Sequence, residues 1–265
     1  MKKDIMIIAL CLLISTLCFG QEELRIPLTN PGKSMKLEVD IRRGPITIKG
    51  TNRQDVLLRY ESMDKEATKI TDVGNGLKKI SGGNPDIEVV ERNNEVSVES
   101  SNWNSGLKVY LEVPNNCDME IQGYNDGDVS INDITGTLEV ETYNGYVHAM
   151  NISGSLVANA YNGAIKATFN QVTPDAPFAF STYNGDIDVQ FPANFKADVK
   201  MKTERGDIYT GYDIVFDKEK PRIQKRDSEN SYKAYIDGWT RGKVNGGGPE
   251  VLIKNHNGDI YLRKQ

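Results

Sequence analysis

Six times along this chain a glycine is followed by an apolar residue two places on and a small or apolar one four places on. The marks are Gly127-Asp-Val129-Ser-Ile131, Gly145-Tyr-Val147-His-Ala149, Gly163-Ala-Ile165-Lys-Ala167, Gly185-Asp-Ile187-Asp-Val189, Gly206-Asp-Ile208-Tyr-Thr210 and Gly258-Asp-Ile260-Tyr-Leu262. The first three glycines stand 18 residues apart, and the next two intervals are 22 and 21. Self-similarity at a near-fixed period is the mark of stacked repeats. Each unit then buries its apolar face only against its neighbours, giving long flat surfaces and ladders of like side chains rather than a deep catalytic cleft.

Each clear repeat holds two strands. Ile134-Thr-Gly136-Thr-Leu138-Glu-Val140-Glu-Thr-Tyr143-Asn144-Gly145 matches Ile152-Ser-Gly154-Ser-Leu156-Val-Ala158-Asn-Ala-Tyr161-Asn162-Gly163 position for position. The inward column reads Leu138, Val140, Val147, Ala149 in one turn and Leu156, Ala158, Ile165, Ala167 in the next. A parallel solenoid with one coil per repeat would stack these residues about 4.8 Å apart. An antiparallel meander would instead make each Asn-Gly a tight hairpin turn, and it needs no constant period. The near-constant 18 favours a right-handed parallel β-solenoid of about 18-residue coils.

Upstream the period-two alternation of half-buried strands runs through Leu37, Val39, Ile41, Ile46 and Ile48, then Val56, Leu58 and Tyr60. Ile87, Val89, Val96 and Val98 flank Arg92-Asn93-Asn94, which reads as a hairpin turn. Residues 62–85 lose the pattern and read as a surface loop with at most a short irregular strand. Residues 22–115 are therefore a less regular part that could cap the stack in sandwich-like fashion, and 116–265 hold the regular repeats. Pro174 to Pro177 absorb the longer third interval, and 217–231 form a charged insertion, read as an exposed loop or hairpin tip. The expected organisation is a signal peptide over 1–20 and a single repeat domain over 21–265.

The signal peptide rests on Lys2 and Lys3, an uncharged apolar stretch from Ile5 to Phe19, and Gly20-Gln21, with cleavage expected before Gln21. The stretch falls short of the roughly 20 apolar residues of a membrane-spanning helix. Cys18 lacks the small preceding residue of a lipoprotein signal. The expected location is therefore exported, periplasmic or secreted to the cell surface, with no membrane span after cleavage. Cys11 and Cys18 leave with the signal, so Cys117 has no intrachain partner and reads as a small buried hydrophobe. The whole chain carries a formal charge of −5, which argues against nucleic acid as a partner.

Several residue sets are candidates for chemistry. Asn144-Gly145, Asn162-Gly163 and Asn184-Gly185 read as structural corners, because both residues tolerate positive φ. The asparagines are also placed to hydrogen-bond along the axis. Tyr143, Tyr161 and Tyr183 share one register, with Tyr124 near it. Such a line of aromatics either covers a corner of the core or grips sugar rings by their apolar faces. Asp128, Asp186, Asp207 and Asp259 follow corner glycines and read as turn caps. The glycine-rich nonapeptide of calcium-binding β-rolls is absent, and one cysteine with two distant histidines makes no zinc site. Asp207 is expected near Asp186, a pair that a glycan-cleaving enzyme would need. His148 lies in a variable outward column and His256 at a corner equivalent to the tyrosines. Neither has a nucleophile beside it, and Gly246-Gly247-Gly248 lacks the lysine and helix of a phosphate loop. No catalytic residue, metal or cofactor is expected.

The run Leu111-Glu-Val113-Pro114, then Tyr124-Asn125-Asp-Gly127-Asp-Val129-Ser-Ile131 and Ile134-Thr-Gly136-Thr-Leu138, resembles the bacterial "putative adhesin" domain family of unknown function. The closing Gly246-Gly-Gly248-Pro249-Glu250-Val251 to Asn257-Gly258-Asp259-Ile260 resembles that family's last coil. The resemblance covers about residues 35–262 and departs from the pattern at the 217–231 insertion and at Glu204-Arg205, where Tyr-Asn is expected. It implies a right-handed β-solenoid, a cell-envelope location and no transferable catalytic residues. The expected function is a non-enzymatic adhesin-like binding module or envelope scaffold with glycan or cell-envelope protein as ligand, Tyr143, Tyr161 and Tyr183 being the candidate contact residues. The alternatives are a structural or regulatory envelope protein acting through protein contacts and, less favoured, a glycan-active β-helix enzyme. Open solenoid ends need capping or pairing, which leaves dimerisation through the last coil open.

Overall fold

Alternation decides which residues enter the core. Along the strand Thr135–Asn144, Leu138, Val140 and Thr142 are buried while Glu139, Glu141 and Tyr143 are exposed, as the pleat of a strand requires. The computed structural model describes residues 22–63, 69–74, 77–81, 86–173, 176–217, 223–228, 231–236 and 238–265; the expected signal peptide lies outside them. Among the described residues every regular element is a β-strand.

Two parallel walls face each other across the core. In the first wall, hydrogen-bonded neighbours run in the order Glu95–Ser100, Met35–Arg43, Cys117–Asn125, Thr135–Asn144, the second half of Val147–Asn162, Phe178–Asn184, Glu250–Asn257 and Ala197–Arg205. In the second wall the order is Leu107–Pro114, Ile46–Thr51, Val129–Asn132, the first half of Val147–Asn162, Ile165–Val172, Ile187–Phe191, Ile260–Lys264 and Ile208–Thr210. Each coil is one strand of each wall joined at a corner. Leu138 lies beside Leu156, and Val147 beside Ile165, so the repeats stack in register. Parallel pairing excludes the meander and makes the fold β-solenoid-like.

The core between the walls is mostly apolar, with Thr142, Thr182 and Asn255 buried at its corner. Leu138, Val140, Val147, Ala149, Leu156, Ala158, Ile165 and Ala167 are all fully buried. Beyond them it turns aromatic, with Phe191 stacked on Phe169 and Phe195 at 4.7 and 4.1 Å between ring centroids.

The order of coils in space differs from their order in the chain at both ends. The coil 250–264 is inserted between 178–191 and 197–210, and the coil 35–51 lies between 95–114 and 117–132. The last coil is therefore internal, and the expected contact through it has no open edge to use. Segment 197–210 ends the stack instead. That explains Glu204-Arg205: an end coil has one neighbour fewer and need not continue both ladders.

Antiparallel strands cover the ends. Asp55–Ser62 pairs with Leu107–Pro114 and with Glu22–Pro27, and Glu88–Arg92 pairs with Glu95–Ser100. At the other end Thr240–Val244 pairs with Ala197–Arg205 and carries Ile214–Phe216 on its far side. So the segment 22–115 supplies two coils of the stack as well as covering strands. The turn at Asn93 and Asn94 has φ of 55° and 68°, the left-handed pair that a two-residue hairpin favours. The stretch read as a loop contains an antiparallel pair, Lys69–Gly74 with Leu77–Ser81. The charged insertion contains another, Ile223–Ser228 with Ser231–Ile236; residues 229–230 lie outside the described residues.

Candidate functional site

The corner where the two walls meet is built from three ladders. Innermost is glycine. A Cβ on Gly163 would collide with the carbonyl of Gly145, and one on Gly258 with the carbonyl of Gly185. Close approach of successive coils thus requires glycine at these corners; Gly185, Gly206 and Gly258 also take positive φ, whereas Gly145, Gly163 and the corner asparagines do not.

The asparagines form the second ladder. The Nδ2 of Asn144 donates to Oδ1 of Asn125 (3.3 Å), Asn162 to Asn144 (2.9 Å), Asn184 to Asn162 (2.7 Å) and Asn257 to Asn184 (2.7 Å). The amides of Asn144, Asn162 and Asn184 each donate and accept along the axis, the arrangement that stabilises stacked like strands. Arg43 and Arg205 occupy the same register at its two ends. Behind it, Thr142 donates to the carbonyl of Gly145, Thr182 to Gly163, Asn255 to Gly185 and Thr203 to Gly258, at 2.8–2.9 Å. These bonds satisfy corner carbonyls that the turn leaves without a ladder partner.

The third ladder is aromatic and faces outward on the first wall. Tyr143 and Tyr161 stack at 4.9 Å and 2° between planes, Tyr161 and Tyr183 at 5.1 Å and 5°, and Tyr183 and His256 at 4.4 Å and 11°. The three tyrosines remain 52%, 44% and 42% exposed, so they do not cover the core. With faces turned on one another, what the inner rings offer to solvent is ring edges and a row of hydroxyls about one coil apart. That differs from the open apolar faces expected for a sugar grip. Tyr124 departs from the stack: it meets Trp103 edge-on at 5.5 Å and lies under the Arg42 guanidinium at 4.4 Å. A groove of about 270 Å³ follows the bend, lined among others by Gln122, Tyr124, Glu141, Tyr143, Asn159 and Tyr161. The sequence pointed to the tyrosines and, by register, to His256. Trp103 and Arg42 carry no repeat signal and were not singled out.

A family model described as Toastrack DUF4097 matches residues 117–263, more than half of the chain. The chain belongs to the Toastrack DUF4097 family. The crystal structure of a "putative cell adhesion protein" from Clostridium sporogenes ATCC 15579 is similar to it, with a TM-score of 0.51 at 14% identity over 93% of this chain and 99% of that one. A "putative adhesin" from Bacteroides fragilis NCTC 9343 gives a TM-score of 0.37 at 12% identity over 92% and 97%. At such identity the first likeness speaks for the fold alone. No match was found among curated protein sequences.

In this Toastrack chain the other candidates take structural places. Asp128, Asp186 and Asp259 accept the backbone N–H of Tyr146, Asp259 and Asp207 on the next coil, at 3.0, 2.8 and 2.8 Å. The neighbour of Asp186 is therefore Asp259, and the inserted coil separates Asp207 from it; the expected Asp186–Asp207 pair does not form. Asp188 is held by Arg263 at 2.6 Å. Among the described residues no three of His, Cys, Asp and Glu gather into a metal-binding group. Cys117 is buried, and burial pushes its thiol well above the ordinary range, so it stays protonated and unreactive. His148 lies beside Tyr146 at 4.2 Å; partial burial and then Lys166 lower its pKa, against a smaller opposing pull from Asp128. A second aromatic pair, Tyr261 on Tyr209 at 5.0 Å, lies at the end of the second wall.

Proposed function

We propose that this chain is an exported, non-enzymatic, adhesin-like binding module whose working surface is the outer face of the first wall, with glycan as the ligand class. The observation that carries this reading is the half-exposed aromatic stack beside a groove lined by Gln122, Glu141, Asn159 and Tyr143. A saccharide ring laid in the groove would meet the end of the stack at Tyr143, while neighbouring sugars would hydrogen-bond the row of hydroxyls and the amides. Right-handed coils of about 18 residues, and an envelope location after cleavage before Gln21, belong to the same reading. The adhesion protein of similar fold supports it by name.

A second reading, a protein partner in the envelope, is favoured by the strand Ile214–Phe216, which among the described residues pairs on one side only and whose Val215 and Phe216 are 71% and 54% exposed. Uncovered apolar edges invite strand addition. Glycan-array binding by residues 21–265 beside a Tyr143/Tyr161/Tyr183→Ala triple variant separates the two. Binding that is lost in a variant with unchanged circular dichroism supports the glycan reading. Absence of glycan binding by either protein moves the function to protein contacts.

A further inference from the structure

The outward side chains of the first wall are sorted by charge along the stack. In the coils from 35–43 to 135–144, Glu38, Asp40, Glu120, Glu139 and Glu141 project from this face, and Glu99 joins Asp40 on the next strand. In the coils 250–257 and 197–205 and the strand beyond, Lys254, Lys200, Lys202, Arg241 and Lys243 outnumber Glu250, Asp198 and Glu204. Between the two halves the coils 153–162 and 178–184 place no charge there: Val157, Asn159, Tyr161, Ala179, Ser181 and Tyr183. Opposite charges within each half are largely engaged locally, Lys36 with Glu38 and Glu120, Arg42 with Asp40, Asp198 with Lys243 and Glu204 with Lys202.

We propose that this face binds a second copy of the chain, face to face, about a two-fold axis that lies in the interface parallel to the strands and passes between the two uncharged coils. Such an axis reverses the order of the coils while keeping each column opposite itself. Glu141 then faces Lys254 of the second copy, Glu120 faces Lys200, and Glu38 faces Arg241, while in the outermost column like charges meet, Lys36 with Lys243 and Asp118 with Asp198. Tyr161 meets Tyr183 at the centre. The other in-plane axis, along the stack, would lay the acidic half on the acidic half, and like charges opposed across an interface are costly. The balance of facing charges therefore favours one dyad of the two, and the contact is isologous and self-limiting. Strands of about seven residues at roughly 3.3 Å each, over about eight ladder steps of roughly 4.8 Å, give a face on the order of 900 Å². A stable interface buries about 800 Å² on each partner.

This inference goes beyond the glycan reading and stands without it. Where both hold they compete, since Tyr161 and Tyr183 cannot face a second copy and a glycan together; a ligand of one state draws the equilibrium toward that state.

Sedimentation of the purified protein, over a concentration series to ~100 µM at ~50 mM and ~500 mM salt, tests it. Dimers that weaken with salt are expected. Lys254→Glu and Glu141→Lys should each raise the dimer dissociation constant by at least about tenfold, while Lys166→Glu on the second wall leaves it unchanged. Mixing the Lys254→Glu and Glu141→Lys proteins should restore dimers, because both charge pairs become complementary again in the mixed species. That restoration also shows both variants to be folded. A protein monomeric throughout, a dimer indifferent to these changes, or a mixture of folded variants that stays monomeric overturns the proposal. Glycan binding measured on the monomeric Lys254→Glu variant, whose changed residue does not line the groove, reports on the glycan reading separately.

Discussion

Two outward columns climb this molecule on the same backbone ladder and come to opposite ends. On the first wall the column reads Tyr143, Tyr161, Tyr183, His256, and the rings close into one stack. On the second wall the column reads His148, Lys166, Asp188, Tyr261, Tyr209; its first three members are unlike and find partners separately, as Asp188 does in Arg263, and only at its end do two rings stack. The backbone spacing is the same in both. A parallel stack supplies only the spacing, and the identity of the residue in a column decides whether that spacing becomes a continuous surface or a series of separate, solvated side chains.

The largest break in the comparison comes from below both columns. Ile187 is fully buried under Asp188, and Ile187→Asp would put a carboxylate among apolar side chains. A cost above ~4 kcal/mol is expected, read as loss of the cooperative urea transition. Next is the ladder beside the tyrosines. Asn162→Ala removes one donor and one acceptor in a single change, and about 1–3 kcal/mol should be lost in chemical denaturation. Tyr161→Ala interrupts two ring contacts that are half in solvent; about 1 kcal/mol is expected, with circular dichroism unchanged. On the second wall Lys166→Asp should stay within about 0.5 kcal/mol, since no stack depends on it.

The smallest effect is a pH dependence. The folded state holds His148 below its ordinary pKa, chiefly by partial burial and secondarily through Lys166. The unfolded chain then binds more protons in this range, so stability rises with pH. The penalty begins as pH falls below the unfolded value of about 6.5 and is complete below the folded one. Urea midpoints between pH 7 and pH 5 should fall slightly more in the unchanged protein than in His148→Gln. The same loss should shrink in Lys166→Asp, which removes one of the two depressing causes.

Much of this was legible from residues. The match of 134–149 to 152–167 gave the two strands per coil, the inward columns and the register of the tyrosines, because stacked parallel strands make like residues neighbours. The order of the coils was not legible. A repeat mark says that a segment belongs to the stack, but any coil edge presents the same N–H and C=O groups to any other, so 250–264 can lie between 178–191 and 197–210 without a change in local pattern. Glu204-Arg205 was the one residue-level sign that 197–210 is an end. Ring orientation was equally hidden: register places the tyrosines together, but only packing determines that they turn their faces on each other and their edges to solvent. Trp103 and Arg42 sit on the same surface through an irregular loop and a strand end, outside any period.

The inserted coil also bears on the order of events during folding. Strands 178–184 and 197–205 do not touch in the finished wall; each waits for 250–257 to arrive between them. A chain emerging from its amino end can wind the coils through 191 in sequence, yet 197–210 then has no stack to join. Contacts this far apart in sequence are slow to form. The far end of the molecule would therefore be the last part to assemble, and the segment 197–210 would remain open to chaperones and proteases until the residues that lock it in place were made.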